Sequence, residues 1–148
     1  MKKKRIRPLA ICVFRDGERI LAVDGFDSVK GERFYRPLGG GIKFGESSCD
    51  AVAREVREEI GAEVAGLRYL GALENVFTCN GQPGHEIVMV YDGELLDRSL
   101  YDQESIDGVE DGDPPEPFRA VWVSLSDLGG VPLYPDGLLE LLRSVPVG

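Results

Sequence analysis

The 148-residue chain contains few cysteines and no long apolar run. Its cysteines, Cys12, Cys49 and Cys79, are far apart, odd in number and form no CxxC pair. Such a set is typical of a reduced cytosolic protein and argues against a zinc site or a disulfide framework. No stretch approaches the ~20 apolar residues of a membrane-spanning helix. The apolar run 9–14, which follows a basic start, is too short for a signal-peptide core. We therefore expect a cytoplasmic protein with no membrane partner.

Positive charge is in the minority, with 17 Lys and Arg against 26 Asp and Glu and a net charge of −9. Sequence-independent binding to a nucleic-acid backbone needs excess positive charge, so we expect no nucleic-acid partner. The basic start, residues 2–7, could still be a nucleic-acid arm, but a solvated terminus leading into a strand is the simpler interpretation.

Much of the negative charge lies in one segment, residues 102–116, which carries seven acids and no Lys or Arg. Three prolines, Pro114, Pro115 and Pro117, lie at its end. This composition predicts a loop. An acidic interaction surface on that loop is one function that composition by itself suggests.

The length suits one domain, residues 1–148, and the order of elements favours an α/β or α+β sandwich. Strands are predicted at 9–14, 34–38, 66–79, 86–91 and 120–123, with a hairpin turn at Asp16-Gly17. Short helical segments are predicted at 126–128 and 138–142.

A glycine-rich segment precedes the longest predicted helix. Gly39, Gly40, Gly41 and Gly45 fall within seven residues, which predicts a loop that something approaches closely. Ser47 and Asp50 resemble a capping box, so a helix should begin there and end before Gly61. Its predicted core face comprises Cys49, Val52, Ala53, Val56 and Ile60.

Three acids of this helix, Glu55, Glu58 and Glu59, share a second face at i, i+3, i+4 spacing. Like charges at this spacing repel each other. The stripe is therefore either a solvated acidic face or a set of oxygen ligands for a hard cation such as Mg²⁺ or Mn²⁺.

The segment 40–62 resembles the Nudix box, G-x5-E-x7-R-E-U-x-E-E-x-G-U, where U is a bulky aliphatic residue. The chain is thus identified as a member of the Nudix hydrolase superfamily and is MutT-like. One position departs from the pattern, because the last aliphatic is the small Ala62. The residues that carry the resemblance are Gly40, Glu46, Arg54, Glu55, Val56, Glu58, Glu59 and Gly61.

The resemblance implies a Nudix α/β/α sandwich with a mixed β-sheet and the box as a loop-helix-loop. It implies Mg²⁺-dependent hydrolysis of a phosphoanhydride in a nucleoside diphosphate linked to another group, with Mn²⁺ as a substitute metal. The implied metal ligands are the Gly39 carbonyl, Glu55, Glu58 and Glu59. Glu58 and Glu59 are also implied as catalytic. Gly40, Glu46, Arg54 and Gly61 are implied as structural residues of the box, with Arg54 paired to Glu46.

The general base is open between a box glutamate and a glutamate of the acidic segment. Glu116 is the first candidate there, because it lies six residues before Trp122. Glu110 is the second candidate, and both could instead merely solvate the segment. Arg36 and Lys43 are the nearest cations that could hold phosphate.

The predicted hairpin near residue 80 carries further candidates. His85, the only histidine, is expected to be structural. Asn75, Phe77 and Glu86 could shape a nucleoside pocket. Phe77 and Thr78 stand where some members carry a proline or tyrosine that marks ADP-ribose or dinucleoside substrates, so the substrate stays open among triphosphates, nucleotide sugars and dinucleotides.

Two further questions follow from the resemblance. Some Nudix-like domains sense nucleotides without cleaving them, and this is the alternative function. The complete set of box glutamates favours catalysis. A homodimer is an expected possibility, because hairpin edges of such small domains often pair.

Overall fold

The computed structural model describes residues 4–145. Lys2 and Lys3 of the basic start lie outside these residues. The first strands are β1 (Arg7–Asp16), β2 (Arg19–Asp27), β3 (Glu32–Arg36) and β4 (Leu38–Gly41). Helix α1 (Ser48–Ile60) follows, and then β5 (Val64–Cys79) and β6 (Gln82–Leu95). A 3-10 helix (Arg98–Asp102), β7 (Ser105–Glu110), β8 (Glu116–Ser124) and α2 (Leu138–Ser144) complete the chain.

Strand β1 lies in the middle of the sheet and is buried on both faces. Ala10, Cys12 and Phe14 pack in the same core cluster as the apolar face of α1. Ile11 and Val13 point to the opposite face and pack with α2. Since successive strand residues alternate between faces, the apolar run 9–14 supplies both cores at once. The sheet therefore lies between two helices, and the predicted α/β sandwich is confirmed.

The sheet is mixed, with the strand order β5-β6-β1-β2-β8-β7. β1 and β6 run parallel, whereas β1 and β2 are antiparallel and pair only near their shared turn. Beyond that turn the two strands diverge. β4 then pairs with β1, and β3 pairs with β2. The divergence opens a gap in the sheet between the β1–β4 pair and the β2–β3 pair.

Helix α1 begins and ends where the sequence predicts. The Ser47 hydroxyl accepts a hydrogen bond from the Asp50 N–H at 3.1 Å, and Gly61 ends the helix in the left-handed region with φ 67°. The predicted core face is wrong at one edge, because Cys49 is exposed and Ala51 is fully buried. The helix is turned so that Ala51 meets the core.

The prediction of a loop over residues 102–116 is wrong. Residues 105–110 form β7, which pairs with β8 in a regular antiparallel register from Ser105↔Val121 to Glu110↔Glu116. Only the turn between them, with its prolines, is irregular. Ile106 and Gly108 face the core while Asp107 and Val109 face outward, so the burial pattern is that of a half-buried strand.

Two smaller predictions also need correction. Residues 126–128 form a turn and not a helix, and Gly39–Gly41 belong to β4 and not to a loop. The predicted helix at 138–142 is confirmed as part of α2. Within residues 4–145, no helix is both long and apolar enough to cross a membrane.

Candidate active site

A cavity of about 590 Å³ opens at the gap in the sheet. We call it the site cavity. One wall is the glycine segment of β4 with Glu55 and Glu59 of α1 behind it. The opposite wall comes from β5 and β6, and the β7–β8 turn contributes Glu110 and Asp111. The box helix therefore presents its carboxylates to a space of the size that small-molecule sites commonly have.

Arg54 binds the box loop to the box helix. Its guanidinium donates to both oxygens of Glu46, at 2.7 and 2.9 Å, and to the Gly41 carbonyl at 2.9 Å. It also donates to Glu55 at 2.9 Å and to Glu58 at 3.2 Å. The predicted pairing of Arg54 with Glu46 is thus present, and the planar fork of arginine matches it bidentately.

The same contacts change the pKa of Glu46. The hydrogen bonds from Arg54 and from the Lys43 N–H lower the pKa of the Glu46 carboxyl to about 2. Because the carboxylate is favoured in the folded state, its stabilisation is fully present above the ordinary pKa of 4.5 and is lost as the pH falls toward 2.

We therefore expect Glu46→Gln to lower the free energy of unfolding at neutral pH. The difference from the wild type should stay constant between pH 5 and pH 8 and shrink below pH 4.5, because the wild-type carboxylate protonates there. Urea denaturation at stepped pH measures this. The exposed Glu94→Gln variant is the control and should show no such trend. A Glu46→Gln deficit that persists unchanged at pH 2.5 would contradict the interpretation.

Three carboxylates converge beside this network. Oxygen atoms of Glu55, Glu58 and Asp111 all lie within 4.8 Å of one another. Glu55 is buried, whereas Glu58 and Asp111 are exposed. Burial raises the pKa of Glu55, an effect that Arg54 opposes. An all-oxygen set with one buried carboxylate fits a hard divalent cation such as Mg²⁺.

Glu59 points elsewhere. Its Oε1 accepts a hydrogen bond from the Gly39 N–H at 3.0 Å, and its side chain lies outside the carboxylate cluster. Burial raises the pKa of the Glu59 carboxyl to about 8, and the charge of Arg36 opposes the rise. Glu59 therefore holds the glycine segment against the helix.

Gly40 explains why the box needs a glycine there. A Cβ at this position would lie 2.6 Å from the carboxyl carbon of Glu55. Any side chain at position 40 would displace the buried carboxylate of Glu55. The group that closely approaches the glycine segment is therefore this carboxylate of the protein itself.

Asp111 is the residue that sequence reasoning missed. It lay in the acidic segment, but no spacing relates it to the box. β7 reaches α1 because Gly108 has no side chain. A Cβ there would lie 2.7 Å from the backbone oxygen of Glu59. This packing carries the end of β7, and with it Asp111, to the carboxylates of α1.

The remaining predicted residues divide into two groups. Arg36 lines the site cavity and forms an ion pair with Glu110. Lys43 is exposed and outside the cavity wall, and its backbone N–H caps Glu46 at 3.1 Å. Glu116 is exposed at the start of β8, opposite Glu110, and is also outside the wall.

The β5–β6 hairpin holds the last set of candidates. Asn75, Phe77 and Glu86 line the site cavity. His85 faces away from them and bonds Glu74 at 2.8 Å on the outer side of the hairpin, in keeping with the structural role expected of it.

A family model for the NUDIX domain matches residues 4–143. The chain belongs to the NUDIX family. This NUDIX chain is 32% identical over 128 residues to the NAD-capped RNA hydrolase NudC of Pseudomonas aeruginosa. It is 34% identical over 110 residues to the protein of the same name from Mycobacterium tuberculosis. The matches cover 86% and 69% of this chain, but the chain spans only 40% and 34% of those relatives.

Solved structures show the same NUDIX fold. The MutT NUDIX hydrolase from Burkholderia pseudomallei superposes with a TM-score of 0.64 at 20% identity, covering 96% of this chain and all of that one. A NUDIX hydrolase from Nitrosomonas europaea gives 0.64 at 17% identity, covering 94% and 87%. The mixed sheet with its two helices, one of them the box helix, is therefore the NUDIX fold.

Proposed function

We propose that this NUDIX chain hydrolyses a phosphoanhydride bond in a nucleoside diphosphate derivative and requires Mg²⁺ or Mn²⁺. The observation that carries the proposal is the convergence of Glu55, Glu58 and Asp111 within 4.8 Å of one another, with Glu55 and Asp111 on the wall of the site cavity. Their charges repel each other, and Arg54 offsets this repulsion for Glu55 and Glu58. A divalent cation would offset it for all three carboxylates.

Glu55, Glu58 and Asp111 would hold the cation, with Gly39 and Glu59 as further candidate ligands from the box. A bound divalent cation neutralises phosphate charge and lowers the pKa of a coordinated water. In such a site the protein contributes mainly positioning and charge stabilisation.

The chain's own residues have distinct roles in this proposal. Arg54 fixes the directions of Glu55 and Glu58. Arg36, on the cavity wall beside Glu59 and Glu86, pairs with a phosphate oxygen once it leaves Glu110. Glu58 takes the proton of the attacking water, because it lies in the carboxylate cluster and its side chain is 37% exposed. Glu59, occupied by Gly39, and Glu116, outside the cavity wall, are the other candidates for this step.

A substrate panel tests the proposal. Nucleoside triphosphates, nucleotide sugars and dinucleotides are incubated with Mg²⁺, with Mn²⁺ or with EDTA, and released phosphate, pyrophosphate and nucleoside monophosphate are measured. We expect metal-dependent release from at least one class. Because the Pseudomonas relative is named an NAD-capped RNA hydrolase, the panel includes NAD and NAD-capped RNA, which also tests the prediction of no nucleic-acid partner.

The alternative function is nucleotide sensing without cleavage. Binding of a nucleotide without turnover of any substrate, with either metal, would favour that alternative over hydrolysis.

A second prediction concerns Asp111. We expect Asp111→Asn to weaken Mn²⁺ binding by at least about tenfold, because the cluster loses one anionic oxygen ligand. Electron paramagnetic resonance of free Mn²⁺ measures the affinity. Asp113→Asn, an exposed acid two residues further on, is the matched control and should bind as the wild type does. Equal affinities of the wild type and Asp111→Asn would remove Asp111 from the site.

A further inference from the structure

One wall of the site cavity carries an ordered set of side chains that phosphate chemistry does not use. Asn75 and Phe77 are two residues apart on β5, so they point to the same face of the hairpin. Their partners across the strands are Glu86 and Gly84. Asn75, Phe77 and Glu86 line the cavity. The face is therefore a single surface made of one aromatic ring and two polar groups.

The ring of Phe77 is set in place by its glycine partner. A Cβ at Gly84 would lie 2.3 Å from the ring, so the ring rests directly on the strand backbone. Phe77 is half-buried and lines the cavity. A ring held in this way is a platform on which a flat aromatic ligand can stack at little entropic cost.

The polar pair beside the ring presents acceptors. The amide of Asn75 faces the Glu86 carboxylate. Because a carboxylate only accepts, the amide nitrogen is the atom that turns toward it. The Asn75 Oδ1 is then left buried, and it has no hydrogen-bond partner among residues 4–145. Buried acceptors without a donor are rare in folded proteins and call for a ligand or another partner.

Glu86 supplies the charged part of this pair. Its side chain is 16% exposed, and this burial raises the pKa of the Glu86 carboxyl, an effect that Arg7 at 3.8 Å and Arg36 oppose. Arg36 lies within electrostatic reach of both Glu86 and Glu59. Arg36 is therefore near both the acceptor pair and the box, and it could bind the phosphate of a nucleotide whose base lies against Glu86.

We propose that Phe77, Glu86 and Asn75 form a nucleobase subsite, in which Phe77 stacks on the ring and Glu86 accepts N–H donors from its edge, and that this subsite favours guanine. Guanine presents a ring N–H next to an amino group, which two carboxylate oxygens can accept together. Adenine presents one amino group next to a ring nitrogen that is itself an acceptor. The assignment rests on the proposed function, since it names the base of the nucleotide that the box would cleave.

Equilibrium binding of α,β-methylene analogues tests the subsite without hydrolysis. The guanosine and adenosine analogues are titrated calorimetrically into the full chain with Mg²⁺ at pH 8. We expect the guanosine analogue to bind about tenfold more tightly. Glu86→Gln should bring the two affinities within about twofold, because the amide offers a single acceptor. Phe77→Leu should weaken both by about tenfold and leave their ratio unchanged.

Two matched controls are available. Phe118 lies over Gly108 in the same cross-strand manner but outside the site cavity, and Glu74 precedes Asn75 on the opposite face of β5. Phe118→Leu and Glu74→Gln should bind as the wild type does, and circular dichroism verifies that every variant is folded.

Equal affinity for the two analogues, or unchanged affinity in folded Phe77→Leu, would overturn the subsite. Either result would leave the proposed hydrolysis standing if the substrate panel still releases phosphate. Conversely, absence of hydrolysis together with guanine-selective binding would overturn the proposed function and support the subsite.

Discussion

Glu58→Gln should lower kcat by about 10²- to 10⁴-fold on whichever substrate the chain hydrolyses, the range that loss of a general base produces. The substitution keeps the size and shape of the side chain but removes its charge and its basicity. Glu58 lies in the carboxylate cluster and is not part of the hydrophobic core, since its side chain is 37% exposed. We therefore expect an unchanged thermal unfolding midpoint within a few degrees. Turnover by phosphate release and unfolding by calorimetry measure the two effects.

Asp50→Asn is the matched control for this variant. Asp50 is an exposed acid in the first turn of the same helix and does not line the site cavity. Its kcat should equal that of the wild type. Near-wild-type turnover of Glu58→Gln would exclude Glu58 from the chemistry, and a fall in both variants would point to a nonspecific effect of charge.

Arg54→Ala should have the largest effect on stability, a loss of about 3 kcal/mol. Its guanidinium, with only 17% of the side chain exposed, pairs with Glu46, Glu55 and Glu58 at once. Removing one partner of a buried ionic network leaves the other charges unpaired, which costs about 3–5 kcal/mol when burial is complete. The partial exposure of Arg54 and Glu58 places the expected value at the lower end. Urea denaturation at pH 7 measures the free energy of unfolding.

Arg57→Ala provides the comparison on the same helix. Arg57 forms one ion pair, with Glu63, in which both side chains are 56% exposed. Its loss should lower the free energy of unfolding far less than the loss of Arg54, because exposed ion pairs contribute little to stability. The loss of free energy of unfolding in Arg54→Lys should lie between those of Arg54→Ala and Arg57→Ala, because lysine keeps the charge but cannot make the bidentate contact to Glu46. Equal destabilisation by Arg54→Ala and Arg57→Ala would show that the network contributes no more than a surface pair.

Much of the fold and of the candidate site can be predicted from the spacing of residues that are close together in the chain. The start of α1 at Ser47, its end at Gly61 and the shared face of Glu55 and Glu58 all depend on residues within a few positions of one another. Helical geometry converts such spacing directly into position. The run 9–14 likewise identified β1, because period-two burial needs no knowledge of the partner strands.

The predictions that are wrong concern features that depend on residues far apart in the chain. The polar composition of residues 102–116 predicts a loop, although a strand such as β7 needs to be apolar on only one face. The helical wheel places Cys49 in the core, but the rotation of α1 about its axis depends on what packs against the helix. Neither composition nor the helical wheel predicts which element packs against a given strand or helix.

By itself, then, the sequence determined the box helix, its caps, the carboxylate stripe and a central strand buried on both faces. Only the tertiary structure decided which acids meet. It brought Asp111 to Glu55 and Glu58, directed Glu59 to Gly39, left Glu116 outside the cavity wall and placed Asn75 and Glu86 on a common wall. The physical reason is that these meetings depend on strand register and on close packing at Gly108, which join residues far apart in the chain and leave no mark in local spacing.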